Sequence, residues 1–175
     1  MNKPVVLTLV FVLVLPAALQ AQDAPRADIY VGFPLLYRAD SNSLSLLGVH
    51  GSLALNVSER FGLAADAAGY FGEMFSDRSI STFLGGPVLS LRSGTRLQVF
   101  GHTLLGGARL LGAFRDGSPG TVFANALGGG VGVRTGTRLA VRAQVDVLTT
   151  RFGSQTQNFL RTSFGVSIPL GRLSN

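Results

Sequence analysis

Asp66, Gln98, Arg142, Gln144, Asp146 and Arg161, with the two histidines His50 and His102, are the residues of this 175-residue chain that could do chemistry. His50 lies two residues from Ser52, and His102 is next to Thr103. A hydroxyl beside a histidine can act as a nucleophile, but only with hydrogen-bond contact, an orienting acid and an oxyanion hole. The sequence has no Gly-x-Ser-x-Gly turn to present such a serine. Two histidines with Asp66 would be a poor metal site, since their spacing matches no ligand pattern. Gly128-Gly-Gly-Val-Gly132 looks like a phosphate-binding loop, but an alternating segment follows where a helix is required. No catalytic residue, metal or cofactor is expected. The four charged residues call for a different chemistry: mutual neutralisation, or a gated pore or proton path.

Periodicity decides how these residues are positioned. In Arg138–Thr150, Leu139, Val141, Ala143, Val145, Val147 and Thr149 fall on one face, and Arg138, Ala140, Arg142, Gln144, Asp146 and Leu148 on the other. A period of two is the mark of a β-strand. The same alternation predicts strands over about 27–37, 44–57, 61–71, 80–92, 96–110, 121–134 and 158–169. Pro87 interrupts the fourth, because proline cannot complete a ladder. Leu91-Arg-Ser-Gly-Thr-Arg-Leu97 and Val133-Arg-Thr-Gly-Thr-Arg-Leu139 are near-copies, each with a glycine-containing hairpin turn. Short turns near Ser58, Ser93 and Thr135 alternate with longer polar loops over about 38–43, 72–79, 112–120 and 152–157. Phe33, Tyr37, Phe71, Phe75, Phe114, Phe123, Phe152 and Phe159 gather towards those loops, as an interfacial girdle would.

Met1–Ala21 has the form of a secretory signal peptide: Lys3, an apolar run from Val5 to Leu15, and a cleavage region ending at Ala21. The expected organisation is therefore a signal peptide over 1–21 and one domain over 22–175. Export makes nucleic acid an unsuitable partner for a net charge of +6 and favours an anionic membrane surface. Having no cysteine, the chain can have no disulfide, thiol nucleophile or cysteine-ligated zinc.

Two closed sheets fit eight such strands. A soluble barrel of the lipocalin kind would turn its apolar faces inward and its polar faces to water. Here one face of every strand is nearly free of charge, and the other carries Asp66, Arg142, Asp146 and Arg161. Eight apolar strips cannot stay in water without association, so the apolar faces are expected to meet lipid. The fold class is all-β: an eight-stranded antiparallel up-and-down transmembrane β-barrel. Its lumen is just wide enough to be filled by side chains, and charges there must pair. We therefore expect an interior polar network of Asp66, Gln98, Arg142, Gln144, Asp146 and Arg161, with Asp146 and Arg161 close to opposite on adjacent strands. The glycines of strand six leave room for large inward side chains on either side.

The segments Ala126–Arg134, Arg138–Asp146 and Gln157–Gly165 resemble the bacterial outer membrane protein β-barrel domain family, relatives of the OmpA-like and OmpX-like small barrels. The likeness spans about Ala27 to Gly171. In this chain Gly132 stands where relatives often carry an acid, and the last residues are Leu170-Gly-Arg-Leu-Ser-Asn175 without a terminal aromatic. The resemblance implies a monomer in the bacterial outer membrane, partnered by membrane lipid; the short outer loops by themselves read as a solvated rim, with Arg38, Arg78 and Arg115 available to lipopolysaccharide phosphates. The expected role is envelope-structural or surface-interacting and non-enzymatic. The alternatives are a narrow channel for ions or very small solutes, an outer-leaflet lipid-modifying enzyme using His50 or His102, and a soluble ligand carrier.

Overall fold

The computed structural model describes residues 25–38, 45–71, 79–93, 96–111, 120–136, 138–152 and 155–171. The expected signal peptide, Phe75, Phe114, Arg78 and Arg115 lie outside them. Eight strands follow one another: β1 (Ala27–Arg38), β2 (Ser45–Asn56), β3 (Phe61–Phe71), β4 (Ser79–Ser93), β5 (Leu97–Leu111), β6 (Gly120–Arg134), β7 (Ala140–Phe152) and β8 (Gln155–Leu170). Each pairs antiparallel with the next, and β8 returns to β1, closing an up-and-down barrel. Closure leaves no open edge, so every strand has a neighbour for its backbone groups on both sides.

The pleat sorts the side chains as the alternation requires. Val141, Val145 and Val147 point away from the lumen with about half their surface exposed, while Asp146 is 1% exposed and Gln144 3%. Phe33, Leu63, Phe83, Leu105, Phe123, Leu127 and Phe164 extend this apolar outer wall around the barrel. In water such a surface would drive association; in a bilayer it is the required solvent-facing material. The wall is a membrane wall.

Two prolines are absorbed without a change of register. On β4, pairing with β5 stops at Gly85↔Leu105 and resumes at Val88↔His102, while the ladder to β3 continues through Leu63↔Pro87. Pro34 does the same on β1: its pairing with β2 is interrupted, and its pairing with β8 is continuous. Each proline therefore costs rungs on one side only.

Two expectations need correction. Strand β7 begins at Ala140 and pairs with β8 out to Phe152↔Gln155, so residues 152 and 155–157 of the polar loop expected over 152–157 are paired strand. Cross-strand hydrogen bonding carries the polar residues Thr149, Thr150, Gln157 and Asn158 into the sheet. Phe159 is no part of an outer girdle, because it lies on the lumen face and is 4% exposed. The lumen also holds an apolar layer. Leu36, Leu46, Ala68, Tyr70, Leu84, Leu104, Ala108, Ala124, Ala126, Leu148 and Phe159 pack together inside the half of the barrel nearer the longer loops. Those residues were legible as inward-facing, but their depth along the axis places them in one layer and makes an apolar plug.

Candidate functional site

Beneath the apolar plug is a layer of buried charge centred on Arg161, which is fully buried. Asp146 stands directly opposite Arg161 on β7, and Arg161 Nε donates to Asp146 Oδ2 at 2.7 Å. The other end of the guanidinium reaches across the lumen to β3, where Nη1 and Nη2 donate to Asp66 Oδ1 and Oδ2 at 3.0 and 3.4 Å. The Tyr70 hydroxyl lies 3.5 Å from Nη1. One planar fork thus serves two carboxylates from opposite directions, a geometry suited to arginine and beyond the reach of lysine. Gln144 Nε2 donates to Asp146 Oδ2 at 3.1 Å.

Each carboxylate also holds a histidine. His102 Nε2 lies 2.8 Å from Asp146 Oδ1, and His50 Nε2 lies 2.5 Å from Asp66 Oδ2. Because a carboxylate only accepts, both Nε2 atoms carry the hydrogen. His50 Nδ1 then faces the Ser163 hydroxyl at 3.1 Å, and Ser163 Oγ is 2.6 Å from the Tyr30 hydroxyl. With Tyr30 donating to Ser163 and Ser163 to His50, every group in this chain is satisfied. Order and polarity match a Ser–His–Asp relay, but with Ser163 on β8 as the hydroxyl instead of Ser52. Catalysis needs more: Ser163, His50 and Tyr30 are all fully buried, and the Ser163 oxygen is already engaged from its free side. A substrate carbonyl has no place beside it. The arrangement works as a hydrogen-bond chain that locks β1, β2, β3 and β8 together.

Strand β6 supplies the floor of this layer. Gly128 pairs with His102 on one side and Asp146 on the other, so their hydrogen bond passes over a residue with no side chain. A Cβ at Gly128 would run into Asp146 Oδ1 and the Val145 carbonyl, whereas one at Gly132 would meet nothing closer than 3.9 Å. Gly128→Ala is therefore expected to destabilise the barrel by about 1–3 kcal/mol, and Gly132→Ala to change it by less than about 0.5 kcal/mol. Urea midpoints of the two variants in lipid vesicles check this.

The six residues expected to form one network fall into two groups. Asp66, Asp146, Gln144 and Arg161 meet as described. Arg142 lies nearer the short turns: its nearest acid is Asp28 at 3.7 Å, and its guanidinium stacks 3.7 Å from the Phe100 ring centroid and 4.9 Å from that of Tyr30. Gln98 donates to Ser90 across the β4–β5 hairpin at 3.1 Å and touches none of the other five by hydrogen bond. Sequence reasoning missed Tyr30, Tyr70, Ser163 and Asp28, all inward by the same alternation. Around Asp28, Ser52, Asn56, Gln98 and Arg142 lies a small cavity of about 20 Å³, and nearer the turns, around Asp28, Arg92, Arg96, Gln98 and Arg134, another of about 30 Å³. Each has room for a water molecule or two. Among the described residues, no three histidine or carboxylate side chains are close enough together to hold a metal.

The lumen is thus stratified: apolar plug, ion layer, then small polar cavities towards the short-turn end. Neither a family model nor a curated protein matches the chain. Solved structures do. Neisserial surface protein A superposes with a TM-score of 0.62 at 11% identity, over 85% of this chain and all of that one. The N-terminal β-barrel domain of Pseudomonas aeruginosa OprF gives 0.57 at 11% identity, over 84% of this chain and all of that domain. The attachment invasion locus protein Ail of Yersinia pestis gives 0.52 at 13% identity, over 83% of this chain and 99% of its own, and has also been crystallised with the heparin analogue sucrose octasulfate. At these identities what is shared is architecture, and the chain has the fold of the small eight-stranded outer-membrane β-barrels.

Proposed function

We propose that this protein is a monomeric, non-enzymatic integral protein of the bacterial outer membrane, with an envelope-structural or surface-interacting role, exported by a signal peptide over residues 1–21. The observation that carries the reading is the sealed lumen. Leu36, Leu84, Leu104, Leu148 and Phe159 close the loop half, and Arg161 with Asp66 and Asp146 closes the middle. Such an interior supports the reading of a rigid post in the bilayer over that of a solute channel. The buried charges are then a structural plug, each matched by a partner.

The test is reconstitution in planar bilayers alongside a porin. The expected result is no unitary conductance step from a preparation whose gel mobility changes on boiling. Discrete steps from the folded form would overturn the sealed-barrel reading in favour of a narrow channel. Lipopolysaccharide is the partner proposed at the loop end. Arg109 and Arg151, exposed at the loop ends of β5 and β7, support it alongside the half-buried Arg38. Arg109→Gln/Arg151→Gln is expected to weaken binding to lipopolysaccharide micelles about tenfold, measured by calorimetry. The crystallisation of Ail with a polysulfated ligand is consistent with surface binding of anions by this fold.

A further inference from the structure

The near-identical turns Arg92-Ser-Gly-Thr-Arg96 and Arg134-Thr-Gly-Thr-Arg138 play no part in sealing the lumen. Pairing of β5 with β6 sets them side by side at the short-turn end: Leu97 is opposite Val133, and the Arg134 amide donates to the Arg96 carbonyl at 2.8 Å. The repeat therefore brings four arginines to one arc of the rim. Arg92, Arg96 and Arg134 line the cavity of about 30 Å³ described above, with Gln98 on its wall. Arg92 Nη1 is tied to the Glu59 carbonyl at 2.6 Å, which fixes the guanidinium, while its Nη2 is buried without a hydrogen-bond partner among the described residues. Opposing charge is scarce. Asp28 reaches the cavity from within and is shared with Arg142, and Glu59 is the one acid on the described short turns.

We propose that the arginines flanking these turns, Arg92, Arg96 and Arg134, form a phosphate clamp for the headgroup of an anionic phospholipid. Arginine forks match the oxygens of a phosphate, and Arg96, which is exposed beside the half-buried Arg92 and Arg134, presents its fork to the rim. The commitment to lipid comes from position. Leu97, Val133 and Leu139, adjoining the arginines, are exposed on the outer wall, so the clamp sits where the apolar band ends and headgroup phosphates begin. The proposal rests on reading the wall as lipid-facing, which the change in gel mobility on boiling tests separately.

The experiment uses the full chain folded in zwitterionic micelles, titrated with short-chain phosphatidylglycerol, short-chain phosphatidylcholine or inorganic phosphate. Arginine Nε–Hε resonances are followed by NMR. Phosphatidylglycerol is expected to give saturable shifts at Arg92, Arg96 and Arg134, with weaker effects from phosphatidylcholine and inorganic phosphate. Arg96→Gln/Arg134→Gln should weaken phosphatidylglycerol binding about 25-fold, at roughly a factor of five per arginine, and Arg60→Gln should weaken it less than twofold. Because Arg96 is exposed, Arg96→Gln alone serves if the double variant does not fold. Absence of saturable shifts at these arginines, or equal binding by Arg96→Gln and the parent, would overturn the clamp. Inorganic phosphate binding as tightly as phosphatidylglycerol would overturn the assignment to lipid.

Discussion

Replacing Arg161 with leucine is expected to cost about 3–5 kcal/mol, enough to prevent refolding into vesicles or to collapse the urea midpoint. The loss is large because the leucine leaves two carboxylates behind. Asp66 and Asp146 are both buried, and each receives its charge-assisted hydrogen bonds from the same guanidinium. Desolvated acids without a counter-charge are far costlier than a missing contact. The triple variant Arg161→Met/Asp66→Asn/Asp146→Asn separates the two effects, since it removes the orphaned charges together with their partner. It is expected to recover at least half of the loss, measured as the folded fraction on unboiled gels after refolding. If Arg161→Leu folded like the parent, the ion layer would have no structural role.

The second large effect is on the outer wall. Val145→Arg places a guanidinium in the lipid-facing band near the middle of β7, at an expected cost of about 2–4 kcal/mol. Leu139→Arg, just before β7, should cost about 0–1 kcal/mol, because the side chain can reach the headgroups. Val145 and Leu139 are about equally exposed, at 51% and 49%, so a soluble protein would tolerate both equally. Depth in the bilayer alone separates them. Urea titrations of both variants in phospholipid vesicles should show the gap, and equal midpoints would mean that no membrane surrounds this wall.

Much of the barrel was legible before any coordinates. Period-two alternation puts Asp66, Arg142, Asp146 and Arg161 on the face opposite the valines and leucines, and eight such segments leave little choice but closure. The pairing of Asp146 with Arg161 was also legible, because the two lie 15 residues apart across one hairpin. Tyr30, Tyr70 and Ser163 share the inward parity, yet nothing local says that they complete the charged layer.

Contacts across the lumen were not legible. Arg161 meets Asp66 from 95 residues away, and Ser163 meets His50 from 113 away, through the closure of β1 on β8. Gln98 was grouped with the charged residues by its face alone, but its place along the axis sets it beside Ser90 near the turns. A repeat of two says which way a side chain points and nothing about its height in the cylinder. The sequence alone therefore determined the strands and their two faces, since both follow from the local geometry of an extended chain. The layering of plug, ions and polar cavities was decided only by tertiary structure, because the stagger between strands sets which inward residues share a level.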